Sequence, residues 1–224
     1  MRRYGIEAVL LESYDDIPNV LEKVEKQCNL RNLFISGSIS VDTEIWTTKQ
    51  AEEFAKTLSN KLAAEKMHIT SGYGLGIGSA VITGVLDEVK NKKYAHFDDY
   101  LKLYPFPQPV VGEDFVAIWH EYRKEMIADC GVAIFIFGNK KDTSGKCVAA
   151  NGMIDEYEIA NEKKAILIPI ASTGEAAEKI YIQMFSERTK YPYLEKYWDI
   201  LKTERSPEIL AKVIIEIINS VSVY

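Results

Sequence analysis

The sequence predicts an α/β fold, a doubly wound and mostly parallel sheet flanked by helices, and three observations carry that reading. Short β-favouring runs alternate with helical apolar patterns along most of the chain. One run, Gly131-Val-Ala-Ile-Phe-Ile-Phe137, has no polar interruption, as suits a parallel strand buried on both faces. A turn with glycines at 72, 74, 76 and 78 joins a strand pattern to a helix pattern. In open α/β sheets, turns at that end of the strands bind ligands.

Residues 5–11 read as a strand and Ile17 to Val24 as a short helix with Pro18 in its first turn. Leu33-Phe-Ile-Ser36 is the next strand, ending in a small-residue turn at Gly37-Ser38. From about Thr48 a long helix carries Ala51, Phe54, Ala55, Leu58 and Leu62 on one stripe, with Thr47 or Thr48 as its cap. A strand at 67–70 enters the glycine loop, and a helix follows from about 79 to 90. Residues 91–112 break the rhythm. Their prolines at 105, 107 and 109 forbid a central strand or a helix there. They read as a loop draped over the strand ends, after a short strand near 100–104.

The helix at 113–128 turns Phe115, Ile118, Trp119, Tyr122, Met126 and Ile127 to one side, interrupted by Arg123 and Lys124. The strand at 131–137 ends in a polar loop, Gly138 to Gly145. A helix from Met153 to Lys163 bears Asp155, Glu156 and Glu158. A strand at 165–170 and a helix from Glu175 to about Phe185 complete another unit. The tyrosines at 191, 193 and 197 suggest packing or an interface rather than a base-stacking platform. Ser206-Pro207 opens the last helix in cap-then-proline order.

The totals exclude several classes. The 224 residues carry 27 basic and 33 acidic side chains, a net charge of −6, whereas a nucleic-acid binder usually shows a basic surplus. No apolar run is long enough to span a bilayer, and the N-terminus has no secretory pattern. Three cysteines, 28, 130 and 147, show no C-x-x-C spacing. They suit a reducing cytoplasm, with Cys130 as a small core residue. The three histidines have no metal-ligand spacing and no nucleophile elbow is present, so neither a metal nor a hydrolase nucleophile is expected.

Two readings of the glycine loop compete. The glycines permit close approach of a ligand to the backbone, and the following helix N-terminus suits a phosphate. The alternative is a tight strand-to-helix turn with no ligand. The spacing fits neither common fingerprint: Ile77, Ser79 and Val81 fall where G-x-G-x-x-G needs its third glycine, and no Gly-Lys-Ser/Thr follows. Around this loop, Arg123 would grip a phosphate with two donors and Lys140 would act as a mobile point charge. A carboxylate at 155 or 156 would accept hydrogen bonds from ribose hydroxyls. Arg123 also reads as an ordinary surface ion pair.

Four segments together resemble the SLOG superfamily, Rossmann-like domains that include the LOG phosphoribohydrolases. They are Phe34-Ile-Ser-Gly-Ser38, Thr70 to Gly78, Tyr122-Arg-Lys-Glu-Met126 with Gly131 to Gly138, and Asn151-Gly-Met-Ile-Asp-Glu156. Over about residues 30–220 the chain looks most like the C-terminal sensor domain of the sirtuin-like NAD-hydrolysing effectors of Thoeris antiphage defence. That resemblance implies a regulatory domain without catalytic residues, cofactor or metal. Its ligand would be a cyclic ADP-ribose isomer made by a TIR-domain partner, and binding would switch on a linked N-terminal NADase. The family's ligand-contacting Arg and Lys fall on Arg123 and Lys140, and its acid on Glu156 or its neighbour Asp155. The LOG enzymes carry P-G-G-x-G-T-x-x-E, where this chain has Val148-Ala-Ala-Asn-Gly-Met-Ile-Asp-Glu156. The lost glycine pair and Thr fit a binder that keeps its ligand intact. The competing implication is a phosphoribohydrolase acting on nucleoside 5′-monophosphates, and a DNA-processing role is disfavoured by the charge.

Four expectations follow. Residues 1–27 read as the tail or linker of a preceding domain, and 28–224 as the SLOG-like nucleotide-sensing domain. Apolar surplus in the aromatic segment and last helix suggests a homodimer or higher oligomer. The binding site should gather Ser36, Gly37, Ser38, Gly72, Gly74, Leu75, Gly76 and Gly78 with Arg123, Lys140 and Glu156. No contact with nucleic acid or membrane is expected.

Overall fold

The computed structural model describes residues 13–74, 76–90, 96–106, 115–142 and 144–221. The expected strand at 5–11, Leu75 of the glycine loop, and Pro107 and Pro109 lie outside the described residues. The helix α1 spans Ile17–Asn29, five residues beyond its expected end, and buries none of its side chains. Then come β1 (Asn32–Ser38), α2 (Thr48–Ala64), β2 (His68–Ser71), α3 (Ile77–Val89), β3 (Leu101–Leu103) and α4 (Phe115–Ile127). After β4 (Val132–Phe137) the chain makes β5 (Asn139–Lys141), β6 (Cys147–Ala149), α5 (Asn151–Glu162), β7 (Ile166–Pro169) and α6 (Glu175–Ser186), and it ends in α7 (Trp198–Thr203) and α8 (Pro207–Val221).

The main sheet has the order β3-β2-β1-β4-β7, and every neighbouring pair is parallel. The chain winds outward through β1, β2 and β3, then crosses back to β4 and β7. The reversal falls between β1 and β4, the place where an open α/β sheet leaves a crevice. All six residues of β4 are buried, as its unbroken apolar run requires.

The helices pack as their periodicity dictates. All five residues of the α2 stripe are buried, and Thr47 caps the helix with Gln50 reciprocating in a capping box. Ser59 of α2 donates to the Val81 carbonyl of α3 at 3.1 Å, while a Cβ at Gly84 would collide with the Lys56 carbonyl. Cys130 is buried, and burial pushes its thiol up to about 11.

Two expectations need correction, and the aromatic segment packs as expected. Gly37 and Ser38 are the end of β1, paired with Ile136 and Phe137 of β4, because the long neighbouring strand extends the ladder past Ser36. The polar stretch after β4 is a hairpin of antiparallel β5 and β6. It is launched by Phe137 at φ 56° and Gly138 at φ 106°, with the Phe137 N–H fixed on Thr173 Oγ1 at 2.7 Å. The aromatic segment faces inward: Tyr191 and Trp198 are buried and the Tyr193 hydroxyl takes the Leu167 N–H at 3.1 Å. In α8, Leu210, Val213, Ile214, Ile217 and Ile218 are buried too. Ile209 of the same helix stays 43% exposed.

Candidate functional site

A cleft of about 750 Å³ opens at the C-terminal ends of the strands, beside the β1–β4 reversal. The end of β1 contributes Ser36, Gly37 and Ser38, and the loop after β2 contributes Gly72, Tyr73 and Gly74. Lys140 enters from β5, Trp119 and Arg123 from α4, and Gly152, Met153 and Glu156 from the first turns of α5. Pro105 and Phe106, in the segment after β3, close one wall. Of the loop expected to drape over the strand ends, these two residues lie at the cleft, and residues 107–112 are outside the described residues.

Close backbone approach explains two of the glycines that line the cleft. A Cβ at Gly37 would stand 2.8 Å from the Ile136 carbonyl oxygen, and one at Gly74 would run into the Gly37 carbonyl. The second half of the glycine loop serves the turn instead. Gly76 adopts φ 72° at the N-cap of α3, with a Cβ there 2.6 Å from the Ile39 carbonyl oxygen. A Cβ at Gly78 would stand 2.6 Å from Tyr73 Cα. Neither lines the cleft. The two readings of the loop therefore divide it: its first glycines border the cleft and its last ones shape a tight turn. The helix whose first turn borders the cleft is α5, not α3.

Arg123, Asp155, Glu156 and His120 form one connected set. Arg123 Nη1 donates to Asp155 Oδ2 at 3.0 Å and Nε to Glu156 Oε1 at 3.3 Å. Ser36 Oγ donates to the other Glu156 oxygen at 2.5 Å. His120 Nδ1 lies 2.7 Å from Asp155 Oδ1. Burial raises the Glu156 carboxyl above its ordinary range, against the opposing pull of the Ser36 hydroxyl and the Arg123 guanidinium. Both candidate acids thus hold Arg123, but only Glu156 lines the cleft. Two of the five N–H donors of Arg123 are engaged, which leaves one on Nη1 and both on Nη2 for a ligand. Lys140 makes no ion pair among the described residues.

Sequence reasoning missed the aromatic wall. The Phe106 ring lies under the Arg123 guanidinium, 5.0 Å from its centre, and edge-on to Trp119 at 6.4 Å. The signal was present, since Trp119 and Arg123 are four residues apart on one helix and so share a face. Phe106 gave no such signal because its run has no period. His120 gave none either, since its partner Asp155 lies on another helix. Among the described residues no cluster of His, Cys, Asp or Glu is arranged to hold a metal ion.

A family model for the Sir2- and TIR-associating SLOG family matches residues 16–221. The chain belongs to this family. Among curated proteins it is 36% identical over 222 residues to the NAD(+) hydrolase ThsA of Bacillus cereus strain MSX-D12, covering 99% of this chain and 45% of that protein. It is 38% identical over 197 residues to the NAD(+) hydrolase ThsA of Acinetobacter baumannii strain 532279, covering 85% of this chain and 41% of the relative. With the protein of the same name from Enterococcus faecium it shares 32% identity over 230 residues, 99% of this chain and 46% of the relative. The chain spans less than half the length of these relatives. The SLOG resemblance read from Phe34 to Glu156 is thereby established, and the cleft lies within the matched residues. No described helix is long and apolar enough to cross a membrane.

Proposed function

We propose that this domain is a nucleotide sensor whose cleft binds a cyclic ADP-ribose isomer and so regulates a linked NAD-hydrolysing domain in antiphage defence. The observation that carries the reading is the composition of the cleft. One wall is aromatic, the floor is small-residue backbone, and Lys140 and the Arg123–Glu156 pair supply donors and an acceptor for pyrophosphate and ribose. Its volume lies in the range of pockets that enclose a small ligand. Family membership and the NAD(+) hydrolase name of the relatives support the connection to NAD metabolism. The messenger would come from a TIR-domain protein, the linked domain would be sirtuin-like, and the assembly would be a homodimer or higher oligomer, to be read by light scattering.

The second reading is a phosphoribohydrolase acting on nucleoside 5′-monophosphates, favoured by the retained Arg123–Glu156 pair. Against it stands the segment before α5, where Ala149 and Ala150 occupy the glycine positions of those enzymes. Calorimetry with cyclic ADP-ribose isomers, paired with incubation with AMP and chromatography for free adenine, separates the two. Saturable binding without adenine release is the expected result. Adenine release that depends on Glu156 would instead establish the enzyme.

A further inference from the structure

Arg123 reaches the cleft already held, and one of its holders belongs to a chain of contacts that starts at the surface. His120 and Arg123 lie three residues apart on α4, and Gly152 and Asp155 three apart on α5, so each pair shares a helix face. His120 Nδ1 meets Asp155 Oδ1 at 2.7 Å, and Asp155 Oδ2 accepts from Arg123 Nη1 at 3.0 Å. The guanidinium plane rests on the Phe106 ring. Nη2 passes over Gly152, 2.6 Å from where a Cβ would stand, and it has no hydrogen-bond partner among the described residues. The nucleotide reading uses Arg123 and Glu156 and leaves His120 and Asp155 without a part.

The geometry points to Asp155, oriented by His120, as a positioning residue that locks the Arg123 guanidinium so that its Nη2 edge is presented to a ligand phosphate, an inference that rests on the nucleotide reading of the cleft. Glu156 alone cannot fix that edge, because a single bond at Nε leaves the plane free to rock about it. The second bond, from Nη1 to Asp155, sets the plane. An arginine side chain fixed before binding has already lost the rotamer freedom it would otherwise lose on meeting its ligand, which raises affinity without any new contact. Gly152 is part of the same device: any side chain there would occupy the space over which Nη2 lies.

The test uses ADP-ribose and adenosine as probes, one with and one without phosphate, in calorimetry on wild type, Asp155→Ala, His120→Ala and His120→Asn. Lys124→Ala, a change at an outward residue paired with Glu121, is the control. Losing one partner of a charge-assisted bond should weaken ADP-ribose binding about tenfold in Asp155→Ala and roughly threefold in His120→Ala. Adenosine binding should stay within about twofold, because the effect travels through a phosphate contact. His120→Asn, whose amide can donate from near the Nδ1 position, should restore affinity. Asp155→Asn keeps an acceptor and replaces the alanine variant should that one fail to fold.

A second measurement needs no ligand. The Nε–Hε nuclear magnetic resonance signal of Arg123, identified by its absence in Arg123→Lys, should be sharp in wild type and in His120→Asn and broadened in Asp155→Ala. An unchanged Arg123 signal would mean that Glu156 and Phe106 suffice, and equal loss of both probes would mean that Asp155 merely supports the cleft. Either result overturns the assignment. Should wild type bind neither probe, a cyclic ADP-ribose isomer takes the place of ADP-ribose and decides the nucleotide reading, and the Arg123 signal alone still decides whether Asp155 positions it.

Discussion

Lys140 and Arg123 bring the same charge to the cleft but are embedded differently, and their substitutions should separate accordingly. Lys140 stands on the hairpin strand β5 without an ion pair among the described residues, so Lys140→Ala removes a cation and strands nothing. Losing one charged partner of a desolvated phosphate costs on the order of 2–5 kcal/mol, so cyclic ADP-ribose affinity should fall roughly thirtyfold or more with an unchanged melting temperature. Arg123→Ala should lose binding and also stability, by about 3–5 kcal/mol, because Asp155 and the buried Glu156 are left without their cation. Glu156 itself gives a pH prediction. Its folded carboxyl is raised above the ordinary value of 4.5, chiefly by burial. The stability it contributes is therefore fully present below that ordinary value and is lost as pH rises through the raised one. Glu156→Gln, neutral at every pH, should match wild type near pH 4 and gain on it progressively toward pH 8 in denaturant melts. A constant difference across that range would contradict the raised carboxyl.

At the scale of elements, the glycine loop shows what a sequence reveals and what it conceals. Four alternating glycines announced a turn of unusual tightness, and the parallel strands and helices around it were legible from period alone: the α2 stripe, the β4 run and the cap at Thr47 all stand where pattern placed them. What pattern could not assign was the purpose of each glycine, because that depends on which backbone lies across from it. Gly76 and Gly78 face Ile39 and Tyr73, and Gly72 faces the Phe106 ring. The hairpin β5–β6 was missed for a related reason, since its pairing is set by the positive φ of Phe137 and Gly138, and a phenylalanine does not advertise that conformation. The division of the loop is testable. Gly76→Ala forces a side chain into φ 72° and against a carbonyl, and should cost about 1–3 kcal/mol of stability by denaturant titration. Gly72→Ala meets side chains rather than backbone, the Phe106 ring at 2.9 Å and the Met126 sulfur at 3.0 Å. It should leave stability nearly intact while weakening ligand binding by narrowing the cleft. Equal stability losses would mean that both halves of the loop serve the turn alone.

At the scale of the whole molecule, one element stands apart from the shared core. Every strand of the main sheet contributes to a single hydrophobic cluster, and helices α2 to α8 pack around it, whereas α1 contributes no buried residue. Leu21 and Val24 of α1 are 61% and 49% exposed, and its internal ion pair, Glu22 with Lys26, is solvent-exposed. Such pairs contribute little, and a helix of this length is marginal in isolation. The chain joins the core at the last residue of α1, where the Asn29 carbonyl accepts the Gly131 N–H at 2.9 Å, and β1 begins three residues on. The boundary expected near residue 28 therefore makes a quantitative prediction. A variant that starts at Cys28 keeps the Asn29 contact and every core side chain among the described residues, so its melting temperature should lie within about 2 °C of the full chain, given that most stability comes from buried apolar area. Its affinity for a cyclic ADP-ribose isomer should be unchanged, because among the described residues none that lines the cleft precedes Phe34. A fall of several degrees would show that α1 is an integral part of this fold, and a fall in affinity at constant melting temperature would tie residues 1–27 to the cleft instead.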